Sequence, residues 1–450
     1  MGRLHDADCT AAGRGCRSVV SLSLKPRPLA YVDGELALSG VALSALAVQH
    51  GTPLYCYSAD AMLQRLRMLQ HAFNDIDCTL CYAVKANSSL ALLKQFAGAG
   101  CGFDIVSGGE LERVRRASPE ALGRVVFSGV GKQAWEMDAA LAAGILLFNV
   151  ESEAELELLS ERAVACGVGT GDRPAAKIAL RVNPDVFADT HPYISTGLRE
   201  HKFGIAIERA RAVYQRAMHL PGVEPAGVSV HIGSQIREVT PFAESVERVG
   251  ALVKQLRSDG MEIRFIDAGG GFGIEYGLGD FDPAARVQEY AAALKTSLAG
   301  LNVKLLLEPG RFVVAQAGVL LARVLYTKQN GAKTFVITDA AMNDLIRPAL
   351  YGAHHEIVPV SESVLARPHG VADIVGPVCE SGDFFARDRE TAELRAGDLV
   401  ALLDAGAYGM SLASHYNSRV HPAEVLVEQG SARLIRRRES LDELLAAEVL

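Results

Sequence analysis

Between residues 58 and 307 the chain alternates short apolar runs with amphipathic stretches, and few architectures accept that pattern. Met62, Leu66, Leu69 and Phe73, spaced by 4, 3 and 4, predict a helix over 58–73. Eight apolar runs follow, at 79–84, 102–106, 124–128, 145–149, 176–182, 226–231, 262–267 and 303–307. Helices are expected between them near 88–98, 108–117, 132–143, 151–165, 207–219, 241–258 and 284–298. Short buried runs alternating with amphipathic helices imply a parallel sheet covered on both faces. Eight such units over ~250 residues imply a closed (β/α)8, TIM-like barrel, here entered through a helix. After Glu308 the pattern changes. Apolar runs at 313–326, 334–339, 373–379, 398–404 and 424–429 are joined by turn-rich loops without helical periodicity. They predict an all-β domain, a sandwich or barrel. The run LAYVDGELAL (29–38) has the same character and is expected to join that domain. The expected division is a tail at 1–27, a strand segment at 28–57 that joins the β domain, a cofactor-binding barrel at 58–307 and a β domain at 308–450 that completes the active site.

Composition narrows the function classes. Hydrophobic residues make up 49% and charged residues 22%, ample for a large core and contrary to disorder. The formal charge is −8 and no basic run suggests nucleic acid or anionic lipid. The longest uncharged stretch, 36–59, is broken by Gln49-His50-Gly51-Thr52-Pro53 and reads as strand and turn, not a membrane span. Eight scattered cysteines fit a reducing cytoplasm better than a disulfide scaffold. Cys78 and Cys81 form a C-x-x-C inside an apolar run and read as core thiols, since a redox pair usually opens a helix. The first twenty residues lack the uninterrupted apolar region of a secretory signal.

In such barrels the functional side chains sit at the C-terminal ends of the strands. The first run ends in Lys85, the second carries Asp104 and leads to Ser107, and the third ends at Ser128 and Gly129. The fifth delivers Arg181 and Asn183, and the sixth His231, Gly233 and Ser234. The seventh ends with Asp267 and glycines 269–271, and the eighth with Glu308, Pro309, Gly310 and Arg311. These types converge on a phosphorylated cofactor that forms an imine. Desolvation at a strand end would destabilise the Lys85 ammonium and supply the neutral amine that a Schiff base needs, although alone Lys85 also reads as a surface lysine. Gly269, Gly270, Gly271 and Gly273 would let backbone N–H groups approach phosphate oxygens, although a glycine run is equally often a plain turn. Their spacing is not that of the dinucleotide fingerprint. Ser234 and Arg311 could add a hydroxyl and a charged donor. Glu308 beside a pyridine nitrogen would keep it protonated; its alternative is an ion pair with Arg311. His231 could stack on the ring or be a hydrogen-bonded core histidine. Asp104 could orient His231 or the lysine, or cap a helix.

The β domain adds three clusters. Arg347 and Tyr351 stand four residues apart in a proline-broken segment suited to a carboxylate. Cys379-Glu380-Ser381-Gly382-Asp383 offers a proton donor beside a recognition group, and Gly406-Ala407-Tyr408-Gly409 a turn carrying a phenol. Each also reads as a packed loop.

In order, YAVKAN, GFDIVSGGE, FSGVGK, NPD…THPYISTGLREHKFGI, HIGSQ, GGGFG, EPGR, MNDLIRPALY, GPVCESGD and GAYGM…YNSR span about 28–430. They resemble the diaminopimelate decarboxylase family, pyridoxal-phosphate enzymes on an alanine-racemase-like barrel. Residues 190–204 and the CESGD segment discriminate best. The resemblance implies Lys85 as the Schiff-base lysine and His231 as the ring-stacking histidine, with Asp104 beside them. It implies Ser234, Gly270, Gly271, Pro309, Gly310, Arg311 and Tyr408 around the cofactor, mostly on its phosphate side, and Glu308 at its ring nitrogen. Arg311, Arg347, Tyr351, Glu380 and Tyr408 would bind substrate, and Cys379 would donate the proton. No metal is called for. The implied reaction is meso-2,6-diaminopimelate to L-lysine and CO2, the last step of lysine biosynthesis. The implied enzyme is a cytoplasmic homodimer in which the Cys379 segment reaches the other subunit's site. Ala341 and His415 depart from the family pattern, which has glycine and asparagine there, and 1–27 have no match. Sister decarboxylases of ornithine, arginine or carboxynorspermidine share the barrel motifs. CESGD and RPALY speak against the first two, which need no clamp for a distal carboxylate. A non-catalytic cofactor carrier would lack the proton donor or the β domain.

Overall fold

The computed structural model describes residues 24–186, 202–279 and 281–450. Its centre is a closed ring of eight parallel strands: Cys78–Ala83, Gly102–Ile105, Val125–Phe127, Leu147–Val150, Ala176–Asn183, Val223–Val230, Phe265–Asp267 and Lys304–Leu307. Each pairs with the next, and Leu305 opposite Cys78 closes the ring. Alternation along the strands separates two packing layers. Leu80, Tyr82, Phe103, Phe127, Phe148, Ile178 and Leu180 face the helices, while Cys81, Val126, Leu147, Ala179, Ala226, Phe265 and Leu306 fill the barrel floor.

The helices form where the periodicity places them, and their caps fix the mouth of the barrel. Helix Ala59–Ala72 starts at Ser58, whose side chain accepts from the Ala61 N–H, and buries Met62, Leu66 and Leu69. Ser107 and Ser152 cap the helices Gly108–Ala117 and Glu153–Ala165 in the same way. Each such cap is worth about 1 kcal/mol. It also fixes the turn through which a strand end enters its helix.

Beyond the barrel lies a mixed, mainly antiparallel system of strands. The order is Phe384–Ala392, His369–Val375, Lys333–Thr338, Gly318–Asn330, Leu54–Ser58, Ala423–Glu428 and Ser431–Arg436. The long strand Gly318–Asn330 also pairs with Leu399–Leu402, which carries Ile357–Pro359. The fold is therefore α/β plus all-β. Residues 29–38 join this domain through a sheet of their own, with Leu29, Leu36 and Leu38 packed among Val319, Leu321 and Val358. They form a small antiparallel meander, Leu29–Val32, Glu35–Leu38 and Val41–Ala42, docked by the Leu36 N–H on the Val360 carbonyl. The strand inside the large sheet is instead Leu54–Ser58, antiparallel to Gly318–Asn330 and parallel to Ala423–Glu428. Its five residues are all buried, so neither face needs a polar side chain. Tyr57 donates to Glu424 at 2.7 Å across that pairing. Arg27, assigned to the tail, is buried against Asp404 in a two-pronged ion pair of 2.7 Å contacts. Among the described residues every cysteine is a free thiol, and no helix is long and apolar enough to cross a membrane.

Candidate active site

A cavity of about 510 Å³ opens at the C-terminal mouth of the barrel. Of the sequence candidates, Lys85, His231, Ser234, Gly270, Gly271, Glu308, Gly310, Arg311, Arg347, Tyr351 and Tyr408 line it. Asp104 stands directly behind Lys85, and Pro309 lies beside the cavity, its carbonyl accepting from the Ala83 N–H at 3.0 Å. Cys379 and Glu380 do not line it. Both are exposed on the loop after His369–Val375. Residues 190–201 of the discriminating stretch lie outside the described residues.

Lys85 sits in a single turn after the first strand, and its Nζ donates to Asp104 Oδ2 at 2.5 Å. The expectation of a neutral amine is overturned for the free protein. Burial does push the ammonium down, but the Asp104 carboxylate in contact with it outweighs burial and raises the pKa. Asp104 comes from the neighbouring strand and is completely buried. It is no helix cap, because Ser107 has that role.

Glu308 does not pair with Arg311. It accepts from Ser128 Oγ at 3.1 Å and Asn149 Nδ2 at 3.4 Å. Asn149 Nδ2 also donates to Asp267 Oδ2 at 2.7 Å, and Asp267 Oδ1 accepts from the Gly269 N–H at 2.9 Å. Burial, then Asp104 and Asp267, raise the Glu308 pKa well above the carboxylate range, and it donates to Asp267. Two carboxyls this close and this dry retain one proton, and Glu308 carries it. Asn149 and Asp267 were not assigned by sequence. Their only signal was position at the ends of the fourth and seventh strands.

His231 has a neutral ring, because burial, Arg181 and Lys85 push its pKa down. Its Nδ1 accepts from the Gly233 N–H at 3.2 Å, which places the ring proton on Nε2. Arg311 donates to Tyr276 OH at 2.6 Å and Ser234 Oγ at 3.1 Å, and its guanidinium lies 4.7 Å from the Tyr408 ring centre. Tyr408 itself holds φ of +57°, with its N–H on the Ala86 carbonyl. Tyr276, three residues past the glycine run, was also missed. At the outer wall Arg347 donates to His355 Nε2 at 2.7 Å, and His355 Nδ1 donates to the Leu403 carbonyl. Burial and Arg347 keep His355 neutral, which leaves Nε2 as an acceptor.

The arrangement fits a phosphorylated pyridine aldehyde. A Cβ on Gly270 would run into the Glu308 carbonyl, and one on Gly271 into the Gly233 carbonyl, so only glycine leaves that wall open. Among the described residues, Arg311 Nε and Asp104 Oδ1 are buried with no hydrogen-bond partner, one a donor and one an acceptor. Such atoms are costly unless a bound group meets them. The amine, the proton-bearing carboxyl and the glycine turn with Arg311 surround a single space.

Comparisons with known proteins agree. The family described as pyridoxal-dependent decarboxylase, pyridoxal binding domain, matches residues 59–315. A diaminopimelate decarboxylase of Aquifex aeolicus is 47% identical over 416 residues, covering 92% of this chain and 96% of that protein. One of Pseudomonas aeruginosa is 49% identical over 424 residues, covering 93% and 98%. The crystal structure of a diaminopimelate decarboxylase from M. jannaschii, in complex with L-lysine, has a TM-score of 0.86 at 36% identity, covering 94% of this chain and 98% of that one. The chain belongs to the pyridoxal-phosphate-dependent diaminopimelate decarboxylase family.

Proposed function

We propose that the protein decarboxylates meso-2,6-diaminopimelate at its D-centre, giving L-lysine and CO2. The observation that carries this substrate is the buried Arg347, with Tyr351, in the wall of the cavity that holds Lys85. A guanidinium there suits a second carboxylate, which ornithine and arginine lack. His355 braces it from behind.

Bound pyridoxal phosphate supplies a ring that takes up the electron pair left when the carboxylate departs as CO2. Lys85 would hold its aldehyde carbon, the glycine turn, Ser234 and Arg311 its phosphate, His231 a ring face and Glu308 its ring nitrogen. Asp104 Oδ2 is placed to take the proton that Lys85 Nζ must lose before it becomes a nucleophile. Glu308 brings a proton of its own, kept by Asp267, and can share it with a nitrogen base. Asn149 and Ser128 keep that carboxyl aimed into the cavity. Neutral His231 adds no positive charge beside the ring. Cys379 delivers the proton that replaces the carboxylate on the α-carbon.

The enzyme acts as a homodimer, in which Cys379 and Glu380 of the partner subunit complete each cavity. Their absence from the cavity of their own chain supports this reading. The chain works in the cytoplasm, in keeping with its free thiols. Purified protein with pyridoxal phosphate should convert meso-diaminopimelate to equal amounts of lysine and CO2. It should leave ornithine and arginine untouched. Turnover of either in preference to diaminopimelate would refute the assignment.

A further inference from the structure

Away from the cavity, His415, His421 and Glu439 bring three ligand atoms within 4.8 Å of one another. His415 Nε2 lies 2.6 Å and His421 Nδ1 3.4 Å from the same oxygen, Glu439 Oε2. The two imidazoles are 4.0 Å apart between ring centres. That carboxylate oxygen also accepts from the His421 N–H at 3.1 Å, so the cluster is tied at the backbone. The Glu439 N–H returns to the His421 carbonyl at 3.2 Å. We propose that His415, His421 and Glu439 form a binding site for a divalent transition-metal ion of the zinc type.

Donor chemistry and spacing support this. Two imidazoles and a carboxylate are the donors that zinc accepts, with bonds of about 2.0–2.2 Å. At a tetrahedral angle such bonds set ligand atoms roughly 3.4 Å apart. The His421–Glu439 separation already has that value. The His415–Glu439 separation has to open by less than an ångström, which a small rotation of the half-exposed His415 side chain provides. The fourth position faces outward, since His415 is the exposed member.

The site would connect two parts of the molecule that matter to the cavity. Residues 408–421 carry Tyr408 into the cavity. In the same segment Asn417 Oδ1 accepts from the Cys379 N–H at 3.0 Å, and Arg419 donates to Asn343 at 3.0 Å. Glu439 belongs to the chain that follows the last strand, Ser431–Arg436. An ion would fasten the active-site segment to that C-terminal stretch.

The test uses tag-free holoenzyme, stripped with chelator and dialysed against Zn²⁺ or Co²⁺. The wild type and Cys379→Ala should bind one ion per chain. His415→Asn and His421→Asn should bind at least tenfold more weakly while retaining bound cofactor. Zinc should raise the melting temperature of the wild type and leave that of His415→Asn unchanged. No stoichiometric binding by the wild type, or equal affinity in His415→Asn, overturns the proposal. So does binding that disappears with Cys379. If the histidine variants fail to fold, X-ray absorption on the wild-type complex decides. Two imidazoles with oxygen as the remaining ligands uphold the site, and a sulfur ligand or any other number of imidazoles overturns it.

Discussion

Replacing Glu308 with glutamine has opposite effects on stability and on activity. In the cofactor-free protein, burial and the neighbouring Asp104 and Asp267 hold the Glu308 carboxyl protonated. An unfolded glutamate releases its proton near pH ~4.3. Because the folded pKa is raised, this group's contribution is intact below the unfolded value and is lost as pH rises toward the folded one. Within that window one retained proton lowers stability by ~1.36 kcal/mol per pH unit, a tenfold change in the folding equilibrium constant. Glutamine has no such proton to lose. Its amide can still donate to Asp267, and its oxygen can still accept from Ser128 Oγ. Urea denaturation of cofactor-free wild type and Glu308→Gln, at one protein concentration and several pH values, measures the difference. The variant should gain on the wild type by about 1.36 kcal/mol per unit above pH ~5. Parallel pH curves would refute the shared proton. With cofactor and substrate present the sign reverses. An amide cannot carry a transferable proton, so turnover should fall by roughly 10²–10⁴ with cofactor still bound. Near-normal turnover would reduce Glu308 to a structural cap.

Lys85→Ala should abolish turnover and the absorbance of lysine-bound cofactor, and a dialysis-resistant band in the variant would point to another lysine. Co-refolding equal amounts of Lys85→Ala and Cys379→Ala makes about half the dimers mixed, each with one whole site in two, so about a quarter of wild-type activity should return. No recovery despite proven subunit exchange would place both groups in one chain. Arg347→Ala removes a charge-assisted contact worth about 1.5–3 kcal/mol, so kcat/KM for diaminopimelate should fall by roughly 10- to 150-fold. An unchanged kcat/KM would move the distal carboxylate elsewhere.

The barrel was legible because its strands are short, buried on both sides and separated by helices whose apolar spacing is unambiguous. Met62, Leu66 and Leu69 are buried as their spacing requires. That the segment before the barrel belongs with the β domain was legible, but the pairing of Leu54–Ser58 was not, since five buried residues announce a strand and not its neighbours. Lys85, Glu308 and Arg311 stood out because they follow strand ends. What surrounds them did not, because Asn149 meets Glu308 across the barrel from 159 residues away. The same limit explains the lysine. Desolvation can be anticipated from an apolar run, whereas the counter-charge of Asp104 depends on strand pairing. The cluster at His415 was equally hidden. Its third member lies beyond a hairpin, and only folding sets Glu439 against His421.

Leu54–Ser58 also dictates an order of assembly. This strand precedes the barrel, yet its sheet partners are Gly318–Asn330 on one side and Ala423–Glu428 on the other. A ribosome that has delivered all eight barrel strands therefore leaves it with two open edges, a template for mispairing with other chains. The first edge closes only when the strand after the barrel emerges, and the second only when nearly the whole chain has been made. Excising the barrel as an independent module would strand the same segment. Its boundaries for expression or domain exchange therefore cannot be drawn as a single cut.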